Sequence, residues 1–199
     1  MHSVRRVLLT VVAAVVTALP ARAQGALSGF LNVDNAFTAF LSTDPALTGA
    51  TVASGNDWTV TNAFAGVPLL AGQDYWFQLR VRDEGVIAGF LATLTLSGDT
   101  HRFVNGGTTL LTNTSDWTAG TADWQVGPQA LVSRGTNGVA PWGAFAQQST
   151  SAQWVWTQDD CIDCTRYFST RIVAVPEPAT VALVATGLAL LPFARRRRA

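Results

Sequence analysis

Two short stretches set an aromatic ring beside groups that hydrogen-bond hydroxyls. Trp58 follows Asn56 and Asp57, and Trp117 follows Asp116. A sugar ring offers a C–H-rich face that packs on an indole, and its hydroxyls pair with amides and carboxylates. These five residues are therefore candidate ligand-binding positions, with Trp58 expected to be the most exposed ring. The competing reading is structural. Seven tryptophans in 199 residues also suit a packed β-core, and buried rings look identical in sequence. Asp34-Asn35, at a strand start, is expected to tie a turn through its own side chains.

A second constellation is Cys161-Ile162-Asp163-Cys164, which holds both cysteines of the chain. In an exported protein such a pair is expected to be a disulfide. It would close a very short loop, so its entropic stabilisation is modest and its effect is to pin the segment after Trp156. A redox pair would sit in a thioredoxin-like βαβ pattern, which the surrounding sequence lacks. A zinc half-site would need two more ligands that the sequence does not offer. Asp159, Asp160 and Asp163 flank the cysteines. They offer hard oxygen ligands for a structural calcium ion, or form a solvated acidic loop. No other cofactor is expected.

No catalytic residue is assigned. The histidines are His2 and His101, too few for a multi-histidine zinc site, and there is no Gly-x-Ser-x-Gly elbow. Inventory alone leaves a paired-carboxylate glycosidase open. His101, after Gly98-Asp99-Thr100, reads as a solvent-facing turn residue.

Both ends of the chain read as targeting segments. Arg5 and Arg6 precede an apolar stretch over residues 7–19, Pro20 breaks it, and Ala21-Arg22-Ala23 fits a small-x-small cleavage site. Residues 1–23 are thus expected to be a helical secretory signal removed by signal peptidase. The alternative, an N-terminal membrane anchor, has few apolar residues for a span. At the other end, Pro176-Glu177-Pro178 is followed by an uncharged run over residues 179–194 and by Arg195, Arg196, Arg197 and Arg198. As a helix the run would reach about 24 Å, short of a bilayer core of about 30 Å. Gly187 and Pro192 weaken it further. The arginines should stay on the cytoplasmic side, leaving everything before Pro176 outside. A plain tail anchor is one reading, and a processed sorting signal is the other.

Between the two ends, residues 24–174 make one domain, large enough for a real core. It carries six arginines against twelve carboxylates, a net charge of −6, with no lysine. That balance argues against nucleic acid as a partner. Alternation is the dominant pattern. Tyr75, Phe77, Leu79 and Val81 interleave with Trp76, Gln78, Arg80 and Arg82, and Phe90, Ala92, Leu94 and Leu96 with Thr93, Thr95 and Ser97. Further strands are expected over residues 36–42, 153–157 and 166–173, with Trp154 and Trp156 on one face. Polar turn clusters separate the strands. The expected fold class is all-β, a jelly-roll β-sandwich. Residues 174–178 are the evident linker. Thr93-Leu94-Thr95 is the nearest approach to a regular threonine array. It is not repeated, which argues against an ice-matching face.

The tail, with its three parts in order, resembles the PEP-CTERM family of bacterial surface proteins, also labelled the ice-binding-protein C-terminal domain. The resemblance covers residues 175–199. It implies recognition by an exosortase-type peptidase, a transient stay in the inner membrane, cleavage near Pro176-Glu177-Pro178, and delivery to the cell surface or extracellular matrix of a Gram-negative bacterium. The globular part is similar to the galactose-binding-like jelly roll that accompanies many glycoside hydrolases. The stretches that carry this likeness include Val33-Asp34-Asn35-Ala36-Phe37, Gly55-Asn56-Asp57-Trp58, Asn113-Thr114-Ser115-Asp116-Trp117, Ala140-Pro141-Trp142-Gly143 and Trp154-Val155-Trp156. The chain departs from that pattern in the longer stretch 42–53 and in the cysteine-containing insertion. The resemblance implies a non-catalytic module associated with extracellular polysaccharide. The alternatives are a structural or adhesive surface protein without a small ligand, and a carbohydrate-active enzyme.

Overall fold

The computed structural model describes residues 24–159 and 161–176. Thirteen strands follow one another: β1 (Gln24–Asp34), β2 (Ala36–Ser42), β3 (Ala50–Gly55), β4 (Asn62–Leu70), β5 (Tyr75–Arg82), β6 (Gly89–Ser97), β7 (His101–Phe103), β8 (Thr109–Leu111), β9 (Thr118–Asp123), β10 (Val126–Gln129), β11 (Leu131–Thr136), β12 (Gln153–Thr157) and β13 (Thr165–Ala174). They form two antiparallel sheets. One runs β11-β12-β6-β1-β4, with β8 added to β6; the other runs β10-β9-β13-β5-β2-β3, with β7 added to β13. The all-β expectation is met, in a two-layered, sandwich-like form.

Period-two alternation places the core. Phe77, Leu79 and Val81 of β5 are fully buried, as are Phe168 and Ile172 of β13. Rings meet between the layers: Phe64 of β4 stacks on Phe77 at 5.7 Å, and Phe90 of β6 meets Phe168 at 4.6 Å. Each such side chain contributes about 1.5–3 kcal/mol when removed from water.

A second apolar cluster lies apart from the first. Leu91, Trp142, Ala152 and Trp154 form it, with Trp58 and Phe145 packed alongside. Trp142 stacks on Trp154 at 4.4 Å. The segment 137–152 is fixed over it by buried polar bonds: Gln148 Nε2 donates to Asn32 Oδ1 at 3.0 Å, and Thr93 Oγ1 donates to Gln148 Oε1 at 2.8 Å. Trp154 and Trp156 thus belong to different clusters, since Trp156 packs in the main core against Phe168. The single shared face expected from the alternation is not found: Trp156 joins Val155 in the main core, and Trp154 packs with Leu91 in the second cluster.

The other face of β5 is partly roofed. Residues 43–49 fold back over it, and fully buried Gln78 holds them there, donating from Nε2 to Leu47 O at 3.0 Å and accepting from Gly49 N at 3.2 Å. A side chain at Gly49 would meet Leu41 O at 2.0 Å, so the loop closes only with glycine there. Within the longer 42–53 stretch, residues 43–49 are therefore a cover over the sheet, and residues 50–53 belong to β3. Beyond the cover, Trp76 stays half-buried.

Candidate functional site

Five of the seven tryptophans are buried: Trp117, Trp124, Trp142, Trp154 and Trp156. Trp117 is 4% exposed and meets Phe77 and Phe90 edge-on. It is a core residue, which corrects its candidacy as a sugar platform: it precedes β9 and turns inward, so only Asp116 remains toward solvent. Trp58 is half-buried against the second cluster, and its carbonyl accepts from Asn32 Nδ2 at 3.1 Å. Asn56 and Asp57 are exposed, but Asp57 Oδ1 already accepts from Thr59 N and Oγ1, at 2.9 and 2.6 Å. Those two bonds hold the Asp57 carboxyl below its ordinary value, the hydroxyl contributing most. The two candidate groups are not brought together: the depression that contains Asp116 is lined by none of Asn56, Asp57 and Trp58.

What the fold does assemble is a site around Trp76. The ring separates two open depressions. One, of about 370 Å³, is lined by Trp76, Asp116, Thr118, Gln125, Ser169 and Arg171, among others. The other, of about 520 Å³, is lined by Thr43, Gln73, Asp74, Trp76, Val175 and Pro176, among others. Period two puts Trp76 there: Tyr75 and Phe77 point into the core, so the residue between them points out. Register then brings Arg171 of β13 directly opposite Trp76. The Arg171 guanidinium lies over the indole, 5.6 Å from its centroid, and pairs with Asp74 Oδ2 at 2.5 Å. Asp74 Oδ1 accepts from Ala174 N at 2.8 Å. Together these hydrogen bonds, the Arg171 one first, hold the Asp74 carboxyl below its ordinary value.

Asp116 is set by its own turn. Its Oδ2 accepts from Asn113 Nδ2 at 2.7 Å, and its carbonyl accepts from Thr170 Oγ1 at 2.9 Å. Oδ1 has no partner among the described residues. The site thus combines an aromatic ring, a carboxylate with a spare acceptor, a glutamine and hydroxyls. Sequence reading missed Trp76, Gln73, Asp74, Gln125 and Arg171, because it sought acids next to tryptophans along the chain. The usable signal was a tryptophan in the outward register of an otherwise well-alternating strand.

Other expected positions resolve differently. His101 is 1% exposed in β7, not in a solvent-facing turn. Its ring nitrogens contact Thr100 Oγ1 at 2.8 Å and Gln73 O at 2.9 Å. Asp34 is buried and accepts from Trp142 Nε1 at 2.8 Å, while Asn35 Oδ1 accepts from Glu84 N. Both roles are structural, and long-range instead of local. Cys161 and Cys164 are joined as a disulfide. Asp159 pairs with Arg166 and Asp163 with Arg82, and no group of three or more metal-binding side chains occurs among the described residues. Asp160 lies outside the described residues. So do the signal-cleavage positions Ala21 and Ala23 with the expected signal helix, the apolar tail segment, Glu177, Pro178 and Arg195, Arg196, Arg197 and Arg198. Residues 174–176 are less free than a linker: Ala174 ends β13, and Val175 N donates to Thr100 O at 2.8 Å.

Neither the comparison with curated proteins nor that with solved structures finds a match. A family model described as the PEP-CTERM protein-sorting motif matches residues 174–198. The chain therefore ends in a sorting signal of PEP-CTERM type, which marks a bacterial protein for export and exosortase-dependent delivery to the cell envelope or surface.

Proposed function

We propose that the protein is a non-catalytic module that holds a neutral extracellular polysaccharide across its Trp76 face. The observation that carries this reading is a half-buried ring between two depressions edged by Asp116, Gln125, Gln73, Thr118 and Thr43. Arg171 covers one face of the indole; in this reading a sugar ring packs on the other, and nearby amide and carboxylate groups select hydroxyls. Arg171, the one cation among the described residues that line the site, is already neutralised by Asp74. With a domain charge of −6, an acidic polymer is repelled, so the ligand class is uncharged. The fold is in this reading a galactose-binding-like jelly roll, and the destination is the surface or matrix of a Gram-negative cell.

Electrophoresis through gels cast with neutral or uronate-rich polysaccharides tests the idea. The exported protein should be retarded by a neutral polymer. Trp76→Ala should weaken retardation about tenfold, one lost stacking contact, and Trp58→Ala should leave it intact. The burial of five tryptophans favours a second reading, a structural or adhesive surface protein without a small ligand. Absence of retardation in every polymer, or indifference to Trp76→Ala, decides for that reading.

A further inference from the structure

We infer that Asp74 is a positioning residue for the sorting reaction: its carboxylate clamps the segment just before Pro176 to the folded domain, and release of that clamp presents the motif to its peptidase. The inference does not depend on the polysaccharide reading.

The clamp is built from both ends of the carboxylate. Oδ1 accepts from Ala174 N at 2.8 Å and Oδ2 pairs with Arg171 at 2.5 Å. On the other side β7 pairs with β13 as far as His101 opposite Ala174, and Val175 N donates to Thr100 O at 2.8 Å. The amide groups of residues 174 and 175 are therefore committed to the domain. Pro176 follows with no N–H of its own and lines the depression beside Gln73 and Trp76.

A peptidase reads an extended substrate through those same backbone groups, which cannot serve two partners at once. Distance makes the conflict sharper. Three residues, Pro176, Glu177 and Pro178, separate Val175 from the apolar run that begins at Ala179. Fully extended they reach roughly 10 Å, whereas a domain of this size has a radius of gyration of roughly 15 Å. With the clamp closed, the domain crowds its own cleavage region. Peeling residues 174 and 175 away frees two more residues of reach and their hydrogen-bonding groups. The Phe168 and Ile172 positions of β13 stay in the core, so this opening needs no unfolding.

The test follows conversion of the full chain to its processed form by pulse labelling in cells that sort it. Asp74→Asn should speed conversion roughly three- to tenfold, the range for weakening a charge-assisted bond at a partly exposed site. In the purified full chain, amide exchange at Ala174 and Val175 should accelerate by a similar factor, with Leu79 and Phe168 unchanged. Inserting Gly-Ser-Gly-Ser between Val175 and Pro176 should give the same acceleration, and Asp74→Asn should add nothing to it. Unchanged conversion in both variants overturns the proposal. So does slower conversion in Asp74→Asn, which would mean that the docked form is what the peptidase reads. Unchanged exchange at residues 174 and 175 overturns it as well. If Asp74→Asn does not accumulate, the insertion variant decides alone, because it leaves the domain intact.

Discussion

Trp142 donates its indole N–H to Asp34 at 2.8 Å, joining the end of the first strand to a loop 108 positions later. Burial pushes the Asp34 carboxyl above the ordinary carboxylate range; the Trp142 bond pulls it back, and Asp83 nearby pushes it up again. An acid with a raised folded-state pKa gives stability that is fully present below its unfolded value, about 4, and is lost as pH rises through the folded value. Asp34→Asn keeps an acceptor and cannot ionise. Its stability relative to the parent should rise from pH 3.5 to pH 7 in urea titrations. Asp34→Ala should instead cost about 1–3 kcal/mol at neutral pH, because Trp142 Nε1 is left buried without an acceptor. A pH-independent difference for Asp34→Asn would show that the carboxylate is not burdened by burial.

Asp74 has the opposite sign. Its hydrogen bonds to Arg171 and to the Ala174 amide hold it below the ordinary range. The stability it gives is present above the unfolded value, about 4, and is lost as pH falls through the folded value. Protection of the Ala174 and Val175 amides, corrected for intrinsic exchange, should therefore drop below about pH 4, before protection at Phe77 or Leu79 changes. Simultaneous loss at all four positions would place the effect in global unfolding.

The strands of the core were legible because each obeys a single constraint. In β5 and β6 one face meets the opposing layer, and burial follows the alternation except at Gln78, under residues 43–49, and at Leu91, under the second cluster. Reading failed where a residue serves a partner distant in sequence. Trp117 lies beside Asp116 in the chain, yet its ring turns to Phe90 while the acid faces Trp76 from another element. His101 follows a turn sequence, but β7 adds to β13 and draws the ring under Gln73. Stretch 42–53 was legible as an excess of length and not as a roof, because its anchor, Gln78, reads as an ordinary polar position on a strand.

The disulfide pins a loop that also carries the Asp83 N to Cys164 O bond at 2.9 Å. A bridge between residues three apart in sequence closes the shortest of loops. Chain entropy limits its contribution to about 2 kcal/mol. Replacing both cysteines by serine should lower Tm by roughly 4–8 °C and leave polysaccharide retardation unchanged, since neither depression at Trp76 includes this loop. A loss of retardation would place the Cys161–Cys164 loop within the functional surface.

Trp76 and Trp154 separate a surface platform from packing most cleanly. Trp154 is fully buried, stacked on Trp142 and close to Phe145. Truncating it to alanine should cost about 3–5 kcal/mol, the transfer term plus the cavity left behind. Trp76 is half-buried and its polar neighbour above is the Arg171 guanidinium. Trp76→Ala should cost only about 1 kcal/mol, mostly the cation–π contact, while Arg171 keeps its pairing with Asp74. Urea unfolding of the two variants measures the contrast. If Trp76→Ala proves as costly as Trp154→Ala, the ring is a packing element, and its place between two depressions is a consequence of the fold and not a reason for it.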